Sequence, residues 1–316
     1  MKILITGGTG YLGGRIIQYL HNLGNNEIII GSRFPIKNTL PRGLKSVQTI
    51  WSSTEELMAI CSGVEIIIHL AGMNASDSSN DPEMALEING HVTGRLLAAA
   101  VRMGVKRFIY FSTAHVYGGP LQGTITEKSL TTSSHPYATS HRVGEDLVMA
   151  SNIRNEIEGI VIRLSNSFGA PLTKGANCWM LLANDLCRQI AISGEMELSS
   201  SGLQRRDFIT MTDVCRSLEH LLKLPTQSGN DNLFNVGGDW STSIWEFACL
   251  IQKLSKKAVG FGPRLKRVEP VLSDKTEDFK YSIAKLQQTG FTLVNNREEE
   301  LLNLIKRCHF FFHKKI

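Results

Sequence analysis

The sequence has no apolar run long enough to cross a bilayer, which takes roughly 18 to 20 residues. Its six cysteines are scattered, without a Cys-x-x-Cys pair of the kind that binds zinc or cycles between thiol and disulfide. The N-terminal apolar segment is broken at Gly7 and Gly8, too soon for a secretory signal. These absences exclude a membrane span and predict a soluble, cytoplasmic protein without a metal site.

Strong charge of either sign is also missing. The sequence has 34 Lys and Arg against 29 Asp and Glu, a formal net charge of +5 over 316 residues. A balance this mild argues against nucleic acid as a partner and leaves small anionic ligands open. Apolar residues reach 42%, enough for a large core, which excludes a disordered chain.

The first half of the chain alternates short β-rich runs with segments of helical period, a pattern typical of a parallel sheet with crossover helices. Isoleucine triplets at 28–30 and 66–68 suit strands that are buried on both faces. The predicted strands span 2–6, 27–31, 47–50, 65–70, 107–112 and 159–163, and the predicted helices 11–23, 53–61, 82–103 and 136–151. We therefore predict an α/β fold with a Rossmann-type doubly wound parallel sheet.

A glycine-rich turn follows the first predicted strand directly and leads into the first predicted helix. Glycines at this junction permit a tight turn and bring backbone N–H groups close to a pyrophosphate at the helix N-terminus. The strand before the turn and the helix after it make dinucleotide binding the preferred interpretation over a mere tight turn. The expected cofactor contacts here are Gly7, Thr9, Gly10, Tyr11, Leu12 and Gly13.

The end of the second predicted strand bears on the choice of cofactor. NAD-binding sites usually place an acidic residue there, whereas this chain has Gly31, Ser32 and Arg33. The hydroxyl of Ser32 and the guanidinium fork of Arg33 suit a ribose 2′-phosphate. NADP(H) is therefore favoured, while NAD stays possible and Arg33 could simply be solvated.

Taken together, the motifs of residues 1 to about 255 resemble those of the extended short-chain dehydrogenase/reductases, the NAD(P)-dependent nucleotide-sugar epimerase, dehydratase and reductase family. The motifs that carry the resemblance are Gly7–Gly13, His69-Leu70-Ala71-Gly72, Asn89, Ser112-Thr113-Ala114-His115-Val116-Tyr117-Gly118, Pro136-Tyr137-Ala138-Thr139-Ser140-His141, Arg163-Leu164-Ser165-Asn166-Ser167-Phe168-Gly169, Arg206-Asp207-Phe208-Ile209 with Asp213-Val214, and Phe234-Asn235-Val236-Gly237.

The resemblance implies roles for particular residues. Tyr137 is the expected acid or base, Thr113 shares its hydrogen bond and contacts the substrate, and His141 stands where the family has a lysine that binds the nicotinamide ribose. Further cofactor contacts are expected from Leu70, Ala71, Gly72 and Asn89, as well as from Tyr137 and His141. Asn166 and Arg206 are expected to bind the diphosphate of a nucleotide-sugar substrate.

Two departures from the family pattern limit the reaction. A phenol has a pKa of about 10 and a histidine one of about 6.5, so His141 supplies little charge near neutrality to activate Tyr137 as a base. His141 could instead serve only as a hydrogen-bonding group while Tyr137 acts as an acid. Ala114 and His115 replace the Asp-Glu pair of the 4,6-dehydratases, which makes that activity a poor fit, although His115 could assist a proton transfer.

With these roles, residues 1–165 are predicted to form the NAD(P)-binding Rossmann domain, with a helix over 212–224 packing on it. Residues 166–316 are predicted to form mainly a smaller C-terminal substrate-binding lobe. Further elements are predicted as helices over 179–192 and 213–224 and a strand over 233–236. Relatives often pair through two helices of the first domain, which makes a homodimer possible.

The leading functional hypothesis is an NADPH-dependent oxidoreductase that reduces a nucleotide-linked 4-keto-6-deoxy sugar, with Tyr137 as the proton donor. The first alternative is a nucleotide-sugar 4-epimerase with tightly bound NAD. The second is a catalytically weak dinucleotide-binding sensor or scaffold, suggested by His141. Exogenous NADPH would be consumed only by the reductase.

Overall fold

The computed structural model describes residues 1–36, 40–225, 231–271 and 278–313. The chain divides into two compact units, each made of several segments. Unit 1 comprises Met1–Gly119, Ser129–Leu164 and Glu219–Asn235, and unit 2 comprises Pro120–Lys128, Ser165–Leu218 and Val236–Ile316. The assignment of cofactor and substrate roles to two parts of the chain stays a prediction.

The elements follow one another along the chain with short connections. The first part has β1 (Lys2–Thr6), α1 (Tyr11–Asn22), β2 (Glu27–Ser32), β3 (Leu44–Gln48), α2 (Thr54–Cys61), β4 (Ile66–His69), α3 (Ala75–Asn80), α4 (Pro82–Ala85), a π-helical turn (Leu86–His91), α5 (Val92–Arg102), β5 (Arg107–Thr113), a 3₁₀ turn (Ala114–Tyr117), β6 (Gly123–Ile125), α6 (Pro136–Ile153) and β7 (Glu158–Leu164). The second part has β8 (Asn166–Phe168), α7 (Leu182–Ser193), β9 (Glu195–Glu197), β10 (Arg205–Thr210), α8 (Met211–Lys223), β11 (Leu233–Val236), β12 (Ser241–Ser243), α9 (Ile244–Val259), β13 (Arg264–Lys266), β14 (Phe279–Tyr281), α10 (Ala284–Gln288) and α11 (Arg297–Phe312).

Within the described residues, the main sheet has seven strands in the order β11-β7-β5-β4-β1-β2-β3. The pairs from β7 to β3 are parallel. The order reverses between β1 and β4, and in such sheets ligands bind outside the carboxyl ends of the strands at the point of reversal. The predicted doubly wound Rossmann-type fold is confirmed.

The third strand was predicted at 47–50, and this prediction is wrong because β3 spans Leu44–Gln48. Among the described residues it pairs with β2 alone, as an edge strand, and it is largely exposed, so its sequence lacks the continuous apolar run of a buried strand. By contrast, all four side chains of β4 are buried. The predicted helix over 82–103 is divided into α4, the π-helical turn and α5.

The core of unit 1 is formed by side chains from both strands and helices. Leu4, Ile67 and Phe108 of neighbouring strands pack with Leu96 and Ala100 of α5 in one buried cluster. At roughly 25 cal/mol per Å² of apolar surface, burial of this kind is the main stabilising contribution to the sheet. This packing holds the ends of these strands in fixed positions.

In unit 2, β10 pairs in parallel with β8 and antiparallel with β12. Phe208 of β10 stacks on Phe247 of α9 at 4.0 Å between ring centroids. Ser243 and Glu246 close the N-terminus of α9 with a capping box. None of the helices in the described ranges has the length and apolar character needed to cross a membrane.

Candidate active site

The glycine turn between β1 and α1 is tightly closed. Gly7 has a φ of +68°, and the N–H of Gly10 donates to its carbonyl at 2.9 Å. A Cβ at Gly13 would overlap that carbonyl oxygen and lie 2.7 Å from the Cα of Gly8, so a larger residue does not fit. Gly10 caps α1 without a side-chain hydrogen bond, so the first turn of the helix keeps backbone donors for an anion.

The turn packs against the segment that follows β4. A Cβ on Gly7 would lie 2.7 Å from the Ala71 nitrogen and 2.9 Å from the Leu70 oxygen, so the structure brings these predicted residues together. Among the others, Thr9 and Gly10 are exposed, Leu12 is half-buried, and Tyr11 and Gly13 are buried. The cradle fits the pyrophosphate of a dinucleotide; direct contacts of each residue with the cofactor stay predictions.

The end of β2 carries the residues predicted to select the cofactor. Ser32 is buried and its Oγ accepts from the Phe34 N–H at 3.4 Å, whereas Arg33 is exposed. The Arg33 guanidinium has no ion-pair partner among the described residues. A Cβ on Gly31 would lie 3.0 Å from Thr49 Cγ2, which leaves little room for a carboxylate at that position.

Asn89 ties the segment after β4 to α6. Its Oδ1 accepts from the Met73 N–H at 2.8 Å and its Nδ2 donates to Ser140 Oγ at 3.0 Å. The Ser140 hydroxyl in turn donates to the Tyr137 carbonyl at 3.1 Å. The buried amide therefore positions the helix that carries Tyr137, and the π-helical turn around it is a local geometry often found at functional sites. Contact of Asn89 with the cofactor itself stays a prediction.

Tyr137 and Thr113 come together as predicted, although their chemical roles stay predictions. Pro136 begins α6, and the His135 ring caps it by accepting from the Tyr137 N–H at 3.1 Å. The side chains of Tyr137 and Thr113 are hydrogen bonded. Burial raises the pKa of Tyr137 above its ordinary value of 10.0, and the bond with Thr113 opposes this only in part. The phenol is therefore protonated at neutral pH.

The backbone also holds the Thr113 hydroxyl. Thr113 Oγ1 accepts from the His115 N–H at 3.1 Å while the same hydroxyl is hydrogen bonded to Tyr137. His115 is exposed, and its ring meets the Tyr137 ring edge-on at 5.8 Å between centroids.

His141 lies one helical turn after Tyr137 and is 7% exposed. Their ring centroids are 4.6 Å apart in a T-shaped arrangement. Burial, reinforced by the nearby His115, lowers the pKa of His141 to about 3. The imidazole is therefore neutral at physiological pH and supplies no cation to Tyr137.

The two residues predicted to bind substrate lie in unit 2. Asn166 of β8 is in register with Phe208 of β10, and its Nδ2 donates to the Asp207 carbonyl at 2.9 Å. Arg206 is partly buried, and burial lowers its pKa. No carboxylate or carbonyl partner for its guanidinium exists in the described part of the chain, an arrangement that suits an anionic ligand.

Sequence reasoning missed two buried polar side chains, one in each unit. Asp207 is buried and accepts from the backbone of Gly238 and Trp240, and burial raises its pKa to about 6. Tyr110 of β5 places its hydroxyl 2.8 Å from Nδ1 of His141. The available signal was Gly144, a glycine inside a predicted helix, since a Cβ there would lie 2.5 Å from the Tyr110 hydroxyl oxygen.

This chain is similar to known proteins. The model of the NAD dependent epimerase/dehydratase family matches residues 3–237. The dTDP-D-glucose 4,6-dehydratase of Mus musculus is 27% identical over 271 residues, which cover 81% of this chain and 73% of that protein. The uncharacterized UDP-glucose epimerase YtcB of Bacillus subtilis (strain 168) is 26% identical over 268 residues, 81% of this chain and 82% of that protein.

Solved structures share the whole fold. The UDP-glucuronic acid 4-epimerase from Bacillus cereus, in complex with UDP-glucuronic acid and NAD, superposes with a TM-score of 0.83 over 99% of this chain and 100% of that chain. Its sequence identity is 20%, so the likeness concerns the fold.

Proposed function

The chain belongs to the NAD dependent epimerase/dehydratase family, as its motifs indicated, and from this premise we propose that it reduces a nucleotide-linked 4-keto-6-deoxy sugar with NADPH. The observation that carries the proposal is the state of Tyr137. Its phenol has a pKa above the ordinary value and is hydrogen bonded to Thr113, and the buried His141 beside it is neutral. A protonated phenol of this kind is suited to give a proton to a carbonyl oxygen.

The mechanism needs one proton donor and one positioned carbonyl. The bound nicotinamide would supply the hydride. The Tyr137 O–H donates its proton to the oxygen of the sugar carbonyl as charge develops there, and Thr113 holds the phenol oxygen in place. His141, neutral and buried, leaves the phenol in its acid form.

Reactions that begin by oxidising the sugar fit this site less well. Epimerisation starts by removing a proton from a sugar hydroxyl, which needs a phenolate, and a raised pKa opposes its formation. Dehydration at C4 and C6 also needs the acid and base that Ala114 and His115 replace.

A 4-epimerase with bound NAD is the second candidate. It is supported by the similarity to the uncharacterized UDP-glucose epimerase YtcB of Bacillus subtilis (strain 168) and by the position of His115 against the Tyr137 ring, where it could assist a proton transfer. The dinucleotide-binding sensor is the third, since a neutral His141 would suit a protein that holds its cofactor without turnover.

The purified protein should therefore be incubated with NADPH and a panel of UDP- and dTDP-linked 4-keto-6-deoxyhexoses. The reductase predicts stoichiometric loss of NADPH and a reduced nucleotide sugar. Interconversion of C4 epimers without net cofactor turnover would establish the epimerase instead. Tight cofactor binding with neither reaction would identify the sensor.

The preference for NADP(H) depends on Arg33 in this proposal. Arg33→Ala is expected to weaken NADPH binding by about 10- to 100-fold, since a charged hydrogen bond contributes roughly 1.5–3 kcal/mol. NADH binding should be unchanged, because its ribose lacks the 2′-phosphate. Titration of both cofactors by calorimetry measures the difference.

Arg42→Ala is the matched control, since Arg42 is an exposed cation farther along the same loop. Its affinity for NADPH should equal that of the unaltered protein. An equal loss for NADPH and NADH in Arg33→Ala, or no loss, would contradict the assignment.

Recognition of the nucleotide diphosphate depends on Arg206. Arg206→Gln is expected to weaken the binding of UDP or dTDP by about 10- to 100-fold, because the unpaired guanidinium loses its charge-assisted bonds to phosphate. The matched control is Arg205→Gln, since Arg205 already donates to the Ser241 carbonyl at 2.7 Å. If both variants bind the nucleotide equally, Arg206 is not its phosphate ligand.

We also propose that the protein forms a homodimer through the π-helical turn and α6. Leu86, Val143 and Leu147 are apolar and respectively 50%, 37% and 37% exposed. A Cβ on Gly90 would touch both Leu86 and Val143, and a Cβ on Gly94, one turn later, would touch Leu147. Light scattering gives the mass in solution, and a monomer at all concentrations would refute the dimer.

A further inference from the structure

A buried hydrogen bond joins the β5 strand to the helix that carries Tyr137. The hydroxyl of Tyr110 lies 2.8 Å from Nδ1 of His141, and Tyr110 is 1% exposed. His141 follows Tyr137 by one helical turn, so its ring lies beside the proposed acid. The hydrogen bond with Tyr110 therefore bears on the state of that ring.

The protonation of both partners is fixed by their surroundings. Burial, followed by the charge of Glu145, raises the pKa of Tyr110 well above 10.0, so the phenol keeps its hydrogen. His141 is neutral, and a neutral imidazole carries one hydrogen on one of its two nitrogens. The position of that hydrogen depends on which partner donates in the Tyr110–His141 bond.

The contacts of the Tyr110 hydroxyl favour Tyr110 as the donor. Its other hydrogen-bond contacts are the Thr93 side chain and the carbonyls of Asn89 at 3.3 Å and His141 at 3.5 Å, both carbonyl contacts being longer than the one with Nδ1. The Asn89 carbonyl also accepts from the Thr93 hydroxyl at 2.8 Å. If the Tyr110 O–H donates along this shortest contact, the imidazole hydrogen is on Nε2.

The Nε2 edge of His141 faces the segment after β4. A Cβ on Gly72 would lie 3.8 Å from Nε2 and 2.9 Å from Asn89 Oδ1. Nε2 has no hydrogen-bond partner in the described ranges. The same segment, at Leu70 and Ala71, contacts Gly7 of the glycine turn. An N–H on Nε2 would thus be directed toward the segment that contacts the glycine turn.

The packing around Tyr110 prevents its hydroxyl from turning away. The His69 ring stacks on the Tyr110 ring with 5.9 Å between centroids, and His69 is itself held between the hydroxyls of Thr6 at 2.6 Å and Thr93 at 3.0 Å. On the other side, α6 passes so closely at Gly144 that a Cβ would lie 2.5 Å from the Tyr110 oxygen. The hydroxyl is confined to the vicinity of His141.

We propose that Tyr110 is a positioning residue that fixes the tautomer of His141. An uncharged Nε2–H donor then stands at the position where the family has a lysine ammonium. The part of this proposal that concerns the cofactor rests on the proposed function, because the ribose hydroxyls of a bound dinucleotide would accept the hydrogen bond from His141 Nε2–H. The site then replaces a cation by an oriented neutral donor and leaves Tyr137 an acid.

The tautomer can be observed without cofactor or substrate. The full chain is labelled with ¹⁵N at its histidines. Correlation of the ring nitrogens with the carbon-bound ring protons then distinguishes the Nδ1–H, Nε2–H and imidazolium forms. His141→Gln assigns the His141 signals among the nine histidines. The unaltered protein is expected to show the Nε2–H form, and Tyr110→Phe a five- to tenfold larger share of Nδ1–H, as one lost hydrogen bond implies.

Tyr117→Phe is the matched control, since it removes another buried hydroxyl, bonded to Asn235 Oδ1 at 2.7 Å, away from His141. It should leave the His141 signals unchanged. An Nδ1–H form or an imidazolium at neutral pH in the unaltered protein would overturn the proposal, as would an unchanged tautomer ratio in Tyr110→Phe. If Tyr110→Phe fails to fold, the spectrum of the unaltered protein alone decides.

A second measurement separates this inference from the proposed function. Tyr110→Phe should bind NADPH about three- to tenfold more weakly, while Tyr117→Phe binds it normally. If the unaltered protein binds neither NADPH nor NADH, the proposed function fails, yet the tautomer result stands by itself. If cofactor binding is normal in Tyr110→Phe while the tautomer changes, Tyr110 sets the tautomer but the Nε2–H does not contact the cofactor, and that part of the proposal is overturned.

Discussion

Tyr137→Phe is expected to lower kcat for keto-sugar reduction by about 10²- to 10⁴-fold, the usual contribution of a positioned general acid. The variant keeps the ring that packs against His141 and loses only the hydroxyl bonded to Thr113. Cofactor affinity should therefore stay within a few-fold of normal. Steady-state rates of NADPH consumption, together with calorimetric titration of NADPH, measure the two quantities separately.

The pH dependence of this step has a definite sign. Because burial raises the pKa of Tyr137 above 10.0, the phenol stays protonated below that value and proton donation does not weaken as the pH rises from 6 to about 9. A rate that falls across this range in the unaltered protein would show that the phenol ionises near neutrality. That result would favour a phenolate base and hence the epimerase.

A control variant tests whether the loss of kcat is caused by removal of the Tyr137 hydroxyl in particular. Tyr19→Phe removes a tyrosine hydroxyl in the same unit, where Tyr19 of α1 donates to Glu219. Its kcat should be unchanged. A similar loss in both variants, or a Tyr137→Phe protein with normal turnover, would remove Tyr137 from the mechanism.

Arg107→Met is expected to lower the free energy of unfolding by about 3–5 kcal/mol, the effect of breaking a buried ion pair by removing one partner. The Arg107 guanidinium donates to both carboxylate oxygens of Glu158, at 2.7 and 3.0 Å. It also donates to the carbonyls of Leu221, Leu222 and Leu224 at 2.7–3.0 Å, where α8 ends. Methionine fills the space but removes every hydrogen bond that the guanidinium gives to the Glu158 carboxylate and to these carbonyls. Urea denaturation measures the change.

The double variant Arg107→Met, Glu158→Gln should recover part of the loss, because the uncompensated charge is gone while the carbonyls stay unsatisfied. Arg154→Met is the exposed control. Arg154 pairs with Glu156 at 2.7 Å, but both side chains are solvent-accessible, and such pairs contribute little. Equal destabilisation by Arg107→Met and Arg154→Met would show that the buried pair has no special role.

Several features of the site could be predicted from the sequence because they depend on neighbours along the chain. The turn from Gly7 to Gly13 needs only a strand, a helix and residues without Cβ between them. Tyr137 and His141 share a face of α6 through helical spacing alone. Thr113 lies at the carboxyl end of β5, and in a parallel sheet that edge carries the ligand-binding residues.

The sequence pattern was less informative at the surface and within long helices. β3 is a half-exposed edge strand, so its boundary left little trace in the apolar pattern. The residues between α4 and α5 have the composition of an ordinary helix, and nothing in it indicates the π-helical turn that positions Asn89. Both features arise from packing against neighbouring elements, which overrides local preference.

The sequence by itself determined the Rossmann-type fold, the glycine turn after β1 and the shared helix face of Tyr137 and His141, because periodicity and turn chemistry act over a few residues. Only the tertiary structure decided that His141 is buried, neutral and bonded to Tyr110, 31 residues away along the chain. It also decided that Arg107 closes the end of α8, more than 110 residues away. Contacts between residues so distant in sequence depend on how strands and helices pack, and burial in that packing sets their charge.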